Sequence, residues 1–219
     1  MYDADIEIDS SVIQKVTGFV LPVGNGAVGK SSIPVALDID HMQKQISRKS
    51  VNLEFGYVLD RVIFRGKAYQ ILQQFLVPPG QKEMEGISGG RSFEKVVETY
   101  QFLFKQIDVV LLSYKLVEAN SFNDLEFWIN QALTLCNPST QFILVGTHLD
   151  QEHSREVTPG MISNGSVYVK QEIQKKFPDW HGNVPAFEVS TINRQNTALL
   201  RNAISVGILR ARQLHLPDA

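Results

Sequence analysis

The chain has 219 residues, 43% hydrophobic and 20% charged, with a formal net charge of −2, which suits one large soluble domain rather than two. So small a net charge argues against a broad contact surface for nucleic acid or anionic lipid. The single cysteine, Cys136, excludes an internal disulfide framework and fits a reducing, cytoplasmic compartment. No apolar run reaches membrane-spanning length and neither end carries a signal or lipid-attachment pattern, so no membrane anchor is expected.

Residues 1–14 read as an N-terminal extension, a solvated tail in preference to the added edge strand that Ile6 and Ile8, alternating with acids, would also allow. A strand is expected over 17–23, where Pro22 sits awkwardly unless the ladder has ended. A glycine loop at 24–31 follows, then a helix over 29–37 carrying Pro34 at the edge of its first turn. Residues 41–49 are polar and basic and read as a loop. Leu53, Phe55, Tyr57 and Leu59 alternate as the apolar side of a half-buried strand. Arg65-Gly66-Lys67 turns the chain, a second strand runs over 69–77, and Pro78-Pro79-Gly80 stops it.

Residues 86–91 are glycine-rich. Phe93, Val96, Val97, Tyr100 and Phe104 fall at helical spacing. Val109-Val110-Leu111-Leu112 is a continuous apolar run, the mark of a parallel strand covered on both faces. Ser121 and Asp124 suggest the cap of a helix ending near 135, and 142–145 is another buried strand. The segment 151–165 reads as a polar loop, 166–177 as a helix, 186–189 as a last strand and 197–213 as a terminal helix. Strands alternating with helices predict an α/β fold: a mostly parallel six-stranded sheet with one antiparallel hairpin and helices on both faces.

The stretch Gly24-Asn25-Gly26-Ala27-Val28-Gly29-Lys30-Ser31 fits the phosphate-loop pattern of glycine, four residues, glycine, lysine and serine. Its glycines let backbone N–H groups approach a polyphosphate with no Cβ in the way. Lys30 is spaced to reach the terminal phosphates, and the Ser31 hydroxyl to meet a bound Mg²⁺. A second signal, Thr147-His148-Leu149-Asp150, directly follows the 142–145 strand. The segment resembles the base-reading box, or base box, of the Ras-like small GTPases, and the resemblance implies that the Asp150 carboxylate accepts two hydrogen bonds from guanine N1 and N2, donors that adenine does not present.

Strand, phosphate loop, helix, hairpin and repeated αβ units resemble the Ras-like small GTPase superfamily over residues 15–213, leaving 214–219 as a tail. The loop is most similar to the Rho form, and the segment from Asp108 to Asp150 to Rho and Rab proteins. The resemblance implies a P-loop NTPase fold and a GTP/GDP switch with Mg²⁺ as cofactor and slow intrinsic hydrolysis. It implies a nucleotide site of Gly24 to Ser31 with Ser32, Gly80, Thr147, His148 and Asp150, and a second base loop at Ser190, Thr191 and Ile192. Gln81 would orient the attacking water, Ser31 and Ser50 would serve the metal, and effector and regulatory proteins would meet 39–50 and 78–92.

The hydrolytic half departs from the family pattern. Val77 stands where the family has the aspartate that holds Mg²⁺ through water, and no threonine occurs between Ser31 and Thr99. Ser50 is the best substitute for the missing switch threonine, with Ser47 second. His148 replaces the lysine of the base box and reaches less far. These departures keep open an alternative function, a guanine-nucleotide-binding scaffold without useful turnover. An adenine-nucleotide kinase built on the same loop would need an arginine-bearing lid, and no arginine cluster is visible.

Overall fold

The apolar run at 109–112 lies at the centre of β4 (Ile107–Lys115), buried along nearly its whole length. The computed structural model describes residues 13–38, 53–80 and 93–213. The expectations for the extension up to 12, the loop at 41–49 with Ser47 and Ser50, the segment at 81–92 with Gln81, and the tail at 214–219 lie outside the described residues.

β4 belongs to a six-stranded sheet with β1 (Gln14–Val23), β2 (Glu54–Phe64), β3 (Lys67–Val77), β5 (Gln141–Thr147) and β6 (Ala186–Glu188). The order is β2-β3-β1-β4-β5-β6, with every neighbouring pair parallel except the β2–β3 hairpin. Arg65 and Gly66 both take positive φ at the hairpin tip, 51° and 75°, as a two-residue type I′ turn requires. Pro22 is accommodated because β1 pairs with β3 only as far as Val20, while its pairing with β4 continues to Val23.

Among the described residues six α-helices accompany the sheet: α1 (Ser32–Leu37), α2 (Phe93–Thr99), α3 (Ala119–Asn123), α4 (Leu125–Leu133), α5 (Pro159–Lys176) and α6 (Thr197–Gln213). Successive residues of the central strands feed opposite faces, as the period of two demands. Val110, Leu112, Phe142 and Leu144 pack with α2, α4 and α5, while Val109, Leu111, Ile143 and Val145 pack with α1 and α6.

Several boundaries differ from expectation, each for a local reason. α1 starts at Ser32, so Pro34 falls in the first turn, where its missing N–H has no intrahelical role. α2 stops at Thr99, and buried Phe104 sits in a separate 3-10 turn, Phe104–Gln106. Ser121 does not cap a helix. Its hydroxyl accepts from the Lys115 N–H (2.9 Å) and donates to the Glu118 carbonyl (2.7 Å), and the helix breaks at Asp124 into α3 and α4. The expected loop over 151–165 contains the start of α5: Thr158 accepts from the Met161 N–H and Pro159 occupies the first helical position.

The largest correction concerns β2. Phe55, Tyr57 and Leu59, expected to face the core, are 47%, 49% and 42% exposed, whereas Gly56, Val58 and Asp60 are buried. The inner register is set by contacts that the strand's own pattern does not reveal. Gly56 lies against Pro34 of α1, where a Cβ would come within 2.6 Å of the ring. Asp60 accepts from Arg201 Nε (3.1 Å) and Ser205 Oγ (2.6 Å) of α6, and Gln73 of β3 donates to Ser205 Oγ (2.8 Å). Replacing a partner in so buried a charged pair leaves the other uncompensated. Asp60→Ala is expected to lower unfolding free energy by about 2–4 kcal/mol, read by urea denaturation.

Candidate functional site

Residues 24–31 connect β1 to α1 at the C-terminal edge of the parallel strands, where α/β sheets place their ligand crevices. Positive φ is carried by Gly24 (144°), Ala27 (62°) and Gly29 (89°), and not by Gly26. A Cβ at Gly24 would run into the Ser113 carbonyl of β4, so only glycine fits there. Ala27 holds the left-handed region at a cost of roughly 1–2 kcal/mol, strain of the kind that gathers at functional loops.

Lys30 is only 6% exposed. Its ammonium donates to the Gly24 carbonyl (2.8 Å) and the Asn25 carbonyl (2.7 Å), closing the loop on itself. Burial lowers its pKa to about 7, with the Glu54 carboxylate opposing that shift. Gly80 rests directly on this pair: a Cβ there would meet Lys30 Nζ and would lie 2.5 Å from the Asn25 carbonyl oxygen. Gly80, three residues beyond the end of β3, thus lies on the glycine loop.

Asn25 fixes the loop from the other side. Its Nδ2 donates to Asp124 Oδ2 (2.7 Å), and its Oδ1 accepts from the Trp128 indole N–H (2.7 Å). Trp128 was not singled out from the sequence, and Asp124 was read only as part of a helix cap. They lie about a hundred positions away, and no spacing rule joins them to the loop.

The second signal converges on the same place. Thr147, at the end of β5, is fully buried, and its hydroxyl lies 2.8 Å from the Val28 carbonyl and 3.0 Å from the Tyr114 carbonyl. His148 takes the left-handed conformation (φ 63°, ψ 35°), with Nδ1 2.9 Å from Thr147 Oγ1. Burial, aided by the nearby Lys115 charge, lowers the His148 pKa. Asp150 is exposed at the rim and accepts from Ser190 Oγ (2.6 Å). Ser190, fully buried, also accepts from the Ile192 N–H and the Asn193 N–H, each at 3.3 Å. The Ser190-Thr191-Ile192 loop therefore sits beside Asp150. Arg155, also missed from sequence, braces this side by a forked pair to Glu188 at 2.9 and 2.7 Å.

The metal side is sparser. Ser31 precedes α1 and makes no side-chain cap bond to it. Val77 is 2% exposed in the apolar cluster shared by α1 and α6, so it offers no oxygen. Among the described residues no group of three or more His, Cys, Asp or Glu side chains could hold a metal ion. An ion bound here would have to share its coordination with oxygens of the ligand and water, which suits Mg²⁺.

Asn25→Ala would leave the buried Trp128 N–H without an acceptor. It is expected to cost about 1–3 kcal/mol of stability in urea denaturation followed by circular dichroism.

The model of the Ras family matches residues 87–196, half of the chain. Ras-related protein Rab-4B of Rattus norvegicus is 28% identical over 138 residues, which cover 63% of this chain and 57% of that protein. Rab-4B of Homo sapiens and of Mus musculus match to the same extent. The chain thus spans somewhat over half the length of these curated relatives. The matched family segment contains Thr147, His148, Asp150 and the Ser190 loop, while the phosphate loop lies before it. With its six-stranded sheet, glycine loop and base box assembled at one edge, the chain belongs to the Ras family of small GTPases.

Proposed function

We propose that this protein is a guanine-nucleotide switch that binds GTP and GDP and hydrolyses GTP slowly. The observation that carries the reading is the junction of its two motifs: the Thr147 hydroxyl beside the Val28 carbonyl ties the base box to the phosphate loop. One rigid unit then presents backbone donors to a polyphosphate at one end and a carboxylate to a base at the other.

In this reading the backbone of 24–31 and Ser32 cradles the phosphates, and Lys30 lends its charge to them. A polyanion beside a lysine whose ammonium is disfavoured by burial would restore its protonated form. Asp150, held by Ser190, would accept the two guanine donors, and the His148 ring would stack on the base. A backbone N–H of the Thr191 loop would meet the guanine carbonyl. Mg²⁺ would be held by the Ser31 hydroxyl, with Ser50 as a second hydroxyl, and would neutralise charge on the phosphate oxygens. Gly80 would offer its N–H to the terminal phosphate, and Gln81 would orient the attacking water.

Switching follows if the two segments 39–50 and 78–92 contact the terminal phosphate only in the GTP form. A partner protein that binds one arrangement better then shifts the population toward it. Rab-4B is named as a Ras-related protein, and the likeness supports this class of behaviour without naming a partner. A cytoplasmic site of action fits the single cysteine, and no helix among the described residues is long and apolar enough to cross a membrane.

A specific observation favours a second reading, a scaffold that holds guanine nucleotide without useful turnover. Val77 is packed into the core where the family places a metal-side carboxylate. Single-turnover hydrolysis of bound GTP, with and without Mg²⁺, separates the two: metal-dependent release of phosphate supports the switch, and tight binding with none supports the scaffold.

Two substitutions test the binding assignment. Lys30→Ala is expected to abolish GDP binding in a fluorescent-nucleotide assay, and unchanged affinity would remove the phosphate-loop assignment. Asp150→Ala is expected to lower the preference for GDP over ADP by about 10–100-fold, the equivalent of roughly 1.5–3 kcal/mol for lost charge-assisted hydrogen bonds.

A further inference from the structure

The β2–β3 register brings an unassigned carboxylate to the metal side of the site. Glu54 is paired directly opposite Val77 in the antiparallel hairpin, and directly opposed residues place their side chains on the same face. That face is the one covered by α1 and α6, because Gly56, Val58 and Asp60 continue the buried register from Glu54. Two residues along the strand, Gly56 abuts Pro34, which lies three positions beyond Ser31. Glu54 is therefore displaced from Gly56 toward the end of β2 that meets the Lys30–Ser31 end of the loop.

One oxygen of that carboxylate is also unpartnered. Glu54 Oε2 is buried and finds no hydrogen-bond partner among the described residues. A buried, unpaired carboxylate oxygen is costly, so it calls for a donor or a cation that the described protein atoms do not supply. Lys30, the nearby cation, spends two of its three N–H groups on the Gly24 and Asn25 carbonyls. Glutamate is one methylene longer than aspartate, which suits reaching from the adjacent strand to a point that an aspartate at 77 would reach from its own.

We propose that Glu54 is the positioning carboxylate for the nucleotide-bound Mg²⁺, accepting hydrogen bonds from its water ligands and so replacing from β2 the function lost at Val77 on β3. The inference rests on the nucleotide reading above. Mg²⁺ keeps several waters when bound beside phosphates, so an outer carboxylate suffices and no dedicated cage of protein ligands is needed. The two strands exchange the residue while keeping its face. A valine at 77 then fills the apolar cluster, and the charge moves toward the rim, where Glu54 is only half-buried.

The test is release of a fluorescent GDP analogue from the full chain, measured across a Mg²⁺ titration and in EDTA. Glu54→Gln preserves size and removes charge. It is expected to raise the Mg²⁺ concentration that half-maximally slows release by about 10–100-fold, with the EDTA rate unchanged. Glu54→Asp, which retains the charge, is expected to fall between Glu54→Gln and wild type.

An unchanged Mg²⁺ midpoint in Glu54→Gln would overturn the assignment. So would an equal change in EDTA and in Mg²⁺, because Glu54 would then serve only as a counter-charge to Lys30. Wild-type protein that binds guanine nucleotide with no Mg²⁺ effect would overturn it while leaving the binding reading intact. Wild-type protein that binds no guanine nucleotide would overturn that reading first and this one with it.

Discussion

Everything at the proposed site depends on holding a strained eight-residue loop still. The loop contains three left-handed residues, one of them an alanine, and it opens on a helix of only six residues. Its own secondary structure cannot fix it. The constraint comes from three directions: Lys30 bonds back to the loop carbonyls, Asn25 is held by Asp124 and Trp128, and Thr147 meets Val28. Each bond contributes on the order of 1 kcal/mol net, but leaving any of these buried groups unpaired costs more, about 1–3 kcal/mol. The network therefore favours one loop geometry over its alternatives.

The same network joins the proposed base side to the proposed phosphate side. β4 and β5 are adjacent and parallel, so Ser113 and Tyr114 of β4 present carbonyls to Gly24 and Thr147 respectively. The sheet thus supplies both the floor of the loop and the anchor of the base box. The metal side lacks this support from the central strands. As proposed, it lies where the β2–β3 hairpin meets α1, at the outer end of the sheet order.

The central strands and the terminal helix were legible because their patterns are long and their environment uniform. A continuous apolar run means burial on both faces, and β4 is buried so. The helix at 197–213 emerged with its expected ends. Edge strand β2 misled for the opposite reason. Its apolar residues alternate cleanly, yet they face outward, because Asp60 is anchored to α6 and Gly56 to α1. Hydrophobic phase assigns a face only where burial is the strongest term. Here a buried charged network and a close helix contact outweighed it. The start of α5 was a different kind of miss, since Thr158-Pro159 carried a local cap signal that the polar character of its surroundings masked.

By itself the sequence determined the class of fold and carried the phosphate-loop and base-box patterns, because each pattern depends on residue types at short spacing along one strand-to-loop junction. It also carried the departures at Val77 and His148, which are single letters read against a pattern. Only the tertiary structure decided what surrounds them: that Asn25 is locked by α4, that Thr147 joins the two motifs, and that Glu54 shares a face with Val77. These are contacts between segments far apart in the chain. Their geometry is set by strand register and helix packing, and neither is encoded in the spacing of the residues that meet.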